Sequence, residues 1–160
     1  MKIIMRFFKI FILFLISMSC QKKNNGIPTN NTSAIQVNEF KKLALEKGDT
    51  IAYSELSNYY MDISNEGLLY SALMMANKYH YSRAYYDVYE TITESSYKKE
   101  FTELDSLDSK TRSMALDYLI MGADKGNKEC QRKLGYFLSQ GKYIKKDTTK
   151  GKRLIEKGEN

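Results

Sequence analysis

One sequence motif recurs three times along this 160-residue chain, and the recurrence constrains the fold more than any other feature. The copies begin at Ala44, Ala76 and Gly122. The small residues at equivalent positions further along the copies are Ala52, Ala84 and Cys130. Repetition of this kind is typical of arrays in which each repeat is one pair of helices. The motif therefore predicts an all-α fold.

The first copy indicates how one hairpin would form. Val37, Phe40 and Ala44 recur at the spacing of one helix face. Gly48 is expected to end the first helix, because glycine adopts positive φ at low cost. Asp49 is then in position to cap the next helix. We therefore expect a short α/α solenoid of about three helix hairpins, closed by a capping helix at its C-terminal end.

The later hairpins follow the same pattern. The alignment places His80 at the turn position of Gly48 and Gly126, and Asp147 is expected to cap the last helix. The helices predicted after the first hairpin cover 66–79, 81–94, 111–125, 127–140 and 148–157, with a longer break over 94–109 that holds a loop or a short helical turn.

The C-terminal part of the chain carries a further pattern of small and aromatic residues. The pattern consists of Ala115, Tyr118, Gly122 to Asn127, Cys130, Leu134-Gly135, Gly141, Asp147 and Lys157-Gly158. With it, residues 111–158 resemble the Sel-one-like repeat family, which is related to tetratricopeptide repeats. Gly151 departs from the family, which usually has alanine there. The resemblance implies a scaffold whose inner curve binds peptides or proteins.

The N-terminal residues show the parts of an export signal. Basic residues lead into an apolar run over 10–16, which is far shorter than the about 20 apolar residues that a membrane-spanning helix needs. The run leads to Ser19 and Cys20, and a small residue before a cysteine at this place resembles the lipobox of bacterial lipoproteins. An ordinary secretory signal with an incidental cysteine is the alternative interpretation.

The lipobox resemblance implies that residues 1–19 are a signal peptide and that Cys20 carries the lipid after cleavage. Two or three acyl chains would anchor the protein stably to a membrane. The polar stretch 20–35 is expected to act as a flexible tether, and 36–160 as the helical-repeat domain. By the same resemblance, the lysines just after the cysteine favour a periplasm-facing protein over a surface-exposed one.

Charge is unevenly distributed along the chain. The net charge is +6, and removal of residues 1–19, with three basic residues and no acidic one, lowers it to +3. A nucleic-acid partner is therefore not expected. Residues 20–108 carry a balance of −4, whereas residues 109–160 carry +7. The basic part is either an ordinary solvated helix face or a surface for an acidic partner or anionic lipid.

We find no constellation of residues that predicts catalysis, a cofactor or a metal ion. His80 is the single histidine, which excludes a histidine-rich metal site and relay chemistry between two imidazoles. Cys130 stands at a small repeat position with no base assigned to it, which favours a core role over a nucleophilic one. The chain is therefore expected not to be an enzyme.

Aromatic residues indicate where a partner would bind. Ten of the thirteen tyrosines lie between Tyr53 and Tyr97, and tyrosine is enriched at protein interfaces as well as in small helical cores. On the first helix of the second repeat, Leu69, Ala72, Leu73 and Ala76 are expected to take the packing positions. The residues predicted to bind a partner are Tyr70, Met74, Asn77, Tyr81 and Tyr85.

Taken with the resemblances, these features predict a membrane-anchored helical-repeat protein that mediates protein–protein binding in the bacterial envelope. An immunity lipoprotein that neutralises a toxin or effector is one concrete version, and an adaptor for an envelope complex is another. The alternatives are an accessory subunit of an envelope or cell-wall enzyme and a structural envelope lipoprotein. Neighbouring genes for a toxin or for cell-wall enzymes would discriminate between them.

Overall fold

The structure is a computed structural model that describes residues 34–63, 67–95, 100–101 and 104–160. The predicted signal peptide, the lipidation site at Cys20 and most of the predicted tether lie outside the described residues. Within them, the helices are α1 Ala34–Lys47, α2 Thr50–Ile63, α3 Leu68–Tyr79, α4 Ser82–Thr93, α5 Ser109–Asp124, α6 Lys128–Gln140 and α7 Thr148–Glu159. The first helix therefore begins two residues before the predicted domain boundary.

The predicted all-α arrangement of helical hairpins is confirmed. Each helix from α3 onward packs against the next along the chain, and α1 packs against both α2 and α3. The pairs α1–α2, α3–α4 and α5–α6 are the three hairpins, and α7 packs closely on α6 as the closing helix. None of the helices in the described part of the chain has the length and apolar character needed to cross a membrane.

The turns inside the three hairpins adopt the backbone that the repeat predicted. Gly48, His80 and Gly126 have positive φ values of 71°, 54° and 81°. His80 therefore occupies the left-handed position that glycine takes in the other two copies. Asp49 Oδ1 accepts the backbone N–H groups of the first turn of α2, and Asn127 Oδ1 accepts from the first turn of α6.

The break between the second and third hairpins holds short ordered pieces. Glu94–Ser95 (β1) pairs antiparallel with Glu100–Phe101 (β2), and a 3₁₀ turn follows over Leu104–Ser106. The Arg112 guanidinium donates to the carbonyls of Leu104 and Leu107 at 2.8 and 2.9 Å, which holds this turn against α5. Of the two predicted alternatives, a loop or a short helical turn, the structure has the helical turn, whereas the two-residue ladder was not predicted.

The closing helix α7 packs against α6 at short backbone distance. Asp147 Oδ1 accepts the N–H of Lys150 at 2.9 Å, so the predicted cap is confirmed. Gly135 of α6 faces Gly151 of α7, and a Cβ atom on Gly135 would lie 2.7 Å from the Gly151 carbonyl oxygen. The absence of both side chains lets the two helices approach this closely.

Two clusters of buried side chains form the core, and α4 contributes to both. The first cluster lies among α1 to α4 and includes Tyr118 of α5, and the second lies among α4 to α6 with support from Leu154 of α7. The predicted small positions Ala52, Ala84 and Cys130 are all buried, as expected. Tyr53 is the fully buried tyrosine of α2. Its hydroxyl can be buried because it donates to the Asp87 carboxylate inside the protein.

Candidate functional site

Residues of α3 and α5 form a surface that combines exposed apolar side chains with hydrogen-bonding groups. We call it the α3–α5 face, and it consists of Tyr70, Met74 and Asn77 on α3 with Met114, Asp117, Tyr118 and Met121 on α5. The three α3 residues share one helix face by their spacing. Tyr70 is 58% exposed and Met121 is 38% exposed, so the face offers apolar area to a partner.

A reciprocal pair of hydrogen bonds connects the two helices across this face. Asn77 Nδ2 donates to Tyr118 Oη at 2.7 Å, and Tyr118 Oη donates to Asn77 Oδ1 at 3.1 Å. Both groups of the Asn77 amide are therefore in use, although the residue itself is exposed. The pair fixes the position of the Tyr118 ring between α3 and α5.

A cleft of about 510 Å³ runs along α5 beside this hydrogen-bonded pair. Its lining combines two methionines and a tyrosine with charged and hydroxyl groups. The lining residues are Lys110, Thr111, Ser113, Met114, Asp117, Tyr118 and Met121. Methionine adapts its shape to irregular partners, and the polar groups give orientation. The chemistry of the cleft suits a peptide segment with apolar and hydrogen-bonding groups.

The structure separates the five residues that the sequence predicted as a partner-binding set. Tyr70 and Asn77 are exposed and Met74 is half-buried, so all three lie on the α3–α5 face, with the Asn77 amide bonded to Tyr118. Tyr81 is half-buried at the turn before α4, where its ring meets the Tyr53 ring edge to face at 5.8 Å between centroids. Tyr81 therefore packs against the core and is only partly accessible.

Tyr85 has to be corrected, because only 3% of it is exposed and it offers no surface to a partner. Its ring lies 6.2 Å from that of Tyr118, and its hydroxyl lies 3.3 Å from Nδ1 of His80. Gly122 makes room for it, since a Cβ atom on Gly122 would lie 2.8 Å from the Tyr85 Cβ. A glycine on the neighbouring helix thus places this tyrosine in the core.

A buried polar cluster, which the sequence analysis missed, lies between α2 and α4. Asp87 is 2% exposed and accepts a hydrogen bond from Tyr53 Oη at 2.7 Å and another from Ser57 Oγ at 3.5 Å. Nε of Arg83, one helical turn earlier, lies 3.8 Å from the same carboxylate. Burial raises the pKa of Asp87, and the bonds from Tyr53 together with the Arg83 charge counteract part of that rise.

A second cleft, of about 460 Å³, opens beside this cluster. Residues of α4 and of the turn before α6 line most of it, with Met61 of α2 at one side. Glu90 lies in this lining, and its carboxyl pKa is raised by burial first and then by the charges of Asp87 and Glu94. The lining of the cleft therefore includes the neighbouring carboxylates of Asp87 and Glu90. The Asp87 carboxylate already interacts with three polar side chains.

The sequence did contain a signal for Asp87. Helix α4 has a strong apolar face that includes Ala84 and Val88, and Asp87 lies on that face next to them. A carboxylate at a core position, with an arginine four residues before it, is the pattern of a buried paired acid. Tyr53, which provides the strongest hydrogen bond, is distant in sequence and could not be assigned from the pattern.

The chemistry at Cys130 agrees with a core role. The residue is fully buried, and burial raises the pKa of its thiol to about 12, so the thiol is protonated at neutral pH. Across residues 34–63, 67–95 and 104–160, no group of three or more histidine, cysteine, aspartate or glutamate residues is arranged to hold a metal ion.

No known family model matches this sequence, and no curated protein matches it either. The resemblances to lipoprotein signals and Sel-one-like repeats therefore stay predictions from the residues. The described residues therefore define the class of protein as an all-α hairpin array that carries an apolar and hydrogen-bonding surface.

Proposed function

We propose that this protein is held at a bacterial envelope membrane by lipid on Cys20 and binds another protein through its α3–α5 face. The observation that supports binding most directly is the exposure of Tyr70 on α3 and of Met121 on α5, the two helices that the Asn77–Tyr118 hydrogen bond connects. Large apolar side chains around a fixed polar group are typical of interface hot spots.

Three further features of the face support this proposal. Tyrosine buries a large area with few rotatable bonds, so Tyr70 would bind at low entropic cost. Met114 and Met121 adapt to a partner's shape. Asp117 and Lys110 at the rim of the cleft would select the partner's charges. An immunity or adaptor role is the version that the Sel-one-like resemblance favours.

The Cys20→Ser variant tests the membrane attachment. Without the thiol no lipid is added, so we expect the precursor to remain uncleaved or the product to leave the membrane fraction. Fractionation and the intact mass of the purified chain measure both effects. Cys130→Ala is the matched control and should partition like the wild type. Unchanged mass and unchanged partitioning of Cys20→Ser would exclude the lipobox.

The Tyr70→Ala variant tests the binding face. Truncation of this exposed aromatic residue should weaken partner binding by about tenfold or more. The tagged chain is purified from membranes of the producing bacterium, and the amount of any co-purified protein is compared between variants. Tyr136→Ala is the matched control, because Tyr136 is 45% exposed but lies on α6, outside the α3–α5 face.

A photoreactive residue at position 121 sharpens this test. It should cross-link the same protein that Tyr70→Ala loses, whereas a photoreactive residue at position 136 should not. Equal recovery from the Tyr70 and Tyr136 variants, or cross-links only from position 136, would place the binding surface elsewhere and contradict the proposal.

A further inference from the structure

The closing helix α7 carries a row of exposed basic side chains along one edge. Lys150, Arg153 and Lys157 are exposed and follow one another at helical spacing, so they form a single stripe. Glu159 lies on the other side of the helix with the exposed Lys152, and Glu156 lies between that side and Arg153. The apolar side of the helix packs inward, with Gly151 buried and Leu154 in the second core cluster. The outer surface is therefore polar, with one cationic edge.

Most basic side chains of this region lack counter-ions in the part of the chain that the structure describes. Lys142 pairs with Asp105 at 3.7 Å, and Arg132 pairs with Glu129. The basic residues around α7 whose side chains form no ion pair or hydrogen bond with the described residues are Lys145, Lys146, Lys150, Lys152, Arg153 and Lys157. This concentration of uncompensated charge favours binding to an anionic surface.

We propose that the α7 stripe, defined as Lys150, Arg153 and Lys157 together with the preceding Lys145-Lys146, binds anionic lipid headgroups at the membrane surface. Two of the three helical charges are lysines, which act as compact point charges and suit a diffuse anionic surface better than a directional pairing site. Leu154 and Ile155 are only partly exposed, so attachment is electrostatic and involves no apolar insertion.

Other anionic partners fit the stripe less well. A single-stranded nucleic acid would call for exposed aromatic side chains on which its bases stack, and α7 contains none. An acidic protein usually meets a mixed surface with apolar anchors, which the outer side of α7 also lacks. The inference rests on the proposed lipid anchor only in that the anchor would keep the stripe close to the bilayer. Stripe binding would then hold the hairpin array against the membrane.

Lysine acylation of the full chain in vesicles tests this inference. The protein is reconstituted in phosphatidylcholine vesicles with or without about 30 mol % phosphatidylglycerol, and the acylation rate of each lysine is read by mass spectrometry. We expect Lys150 and Lys157 to react about fivefold more slowly in the anionic vesicles. About 0.5 M sodium chloride should remove this protection, because the screening length shortens to about 4 Å. The exposed Lys41 and Lys47 of α1 should react equally in both vesicles.

Two charge-matched variants provide the control. Arg153→Gln/Lys157→Gln should lose most of the protection at Lys150, whereas Lys41→Gln/Lys42→Gln, with the same loss of charge on α1, should keep it. Equal rates in both vesicle types would overturn the inference. Stronger protection by polyglutamate or DNA than by anionic vesicles would also overturn the lipid assignment. The mass of the Cys20 peptide in the same spectra reports separately on the proposed anchor.

Discussion

Replacement of Asp87 by alanine is expected to lower the free energy of unfolding by about 3 kcal/mol. The carboxylate is the acceptor for Tyr53 Oη, which is fully buried and would be left without a partner. An unsatisfied buried hydroxyl costs about 1–3 kcal/mol, and the loss of contact volume inside the core adds to that cost. Arg83 contributes less, because its side chain is 40% exposed and its charge is screened.

Denaturant unfolding measures this effect, and Asp117→Ala is the matched control because Asp117 is an exposed aspartate in α5. The control should change the free energy of unfolding by about 0.5 kcal/mol or less. Tyr53→Phe should recover part of the loss when it is combined with Asp87→Ala, since both polar partners are then absent. Equal stability of the Asp87 and Asp117 variants would show that Asp87 is not the acceptor that holds α2 to α4.

The pH dependence of stability should carry the signature of Asp87. Its pKa in the folded protein is raised above the ordinary value of 3.8, with burial as the first cause. The folded state therefore binds the proton more tightly than the unfolded state does. The stability of the wild type relative to Asp87→Asn should fall as pH rises from about 4 through the folded pKa, and then stay constant. A rise over this window would contradict the raised pKa.

Local rules account for the parts of this fold that the sequence predicted. The turns at Gly48, His80 and Gly126 depend on the backbone conformation of single residues, and the caps Asp49 and Asn127 directly follow the two glycines. The ends of the helices follow from these signals. The repeated motif also predicted which helices pair, because each of its three copies spans the two helices of one hairpin.

The rotation of α3 was predicted only in part, because it depends on distant neighbours. Of the four predicted packing residues, Ala72 and Ala76 are fully buried, and Leu69 and Leu73 are partly buried against the core. Leu68 and Met75, which were not predicted, are buried more deeply than the two leucines. A neighbouring helix has to be placed before the buried flank of α3 is known. The same reason explains Tyr85, whose burial depends on a glycine in a different hairpin.

Gly151→Ala is expected to lower the free energy of unfolding by about 2 kcal/mol, against the usual effect of this substitution. In an open helix interior, alanine in place of glycine gains about 1 kcal/mol. Here the added Cβ would contact Ser139 Oγ and lie 2.8 Å from the Gly135 carbonyl oxygen and 2.9 Å from the Ser139 N. Backbone atoms of α6 cannot move aside as a flexible side chain can, so α7 has to shift outward.

Whether Gly151→Ala lowers or raises the free energy of unfolding shows how closely α7 packs on α6. Thr149→Ala on the exposed side of the same helix is the control, and its alanine should be neutral or slightly stabilising. Thermal and denaturant unfolding of both variants give the comparison. Alanine is usual at position 151 in the Sel-one-like repeats that this chain resembles, so their helices would need a wider separation there. If Gly151→Ala were more stable than the wild type, α6 and α7 would have to be far enough apart to accommodate the alanine side chain. Gly135 and Gly151 would then not determine the distance between the two helices.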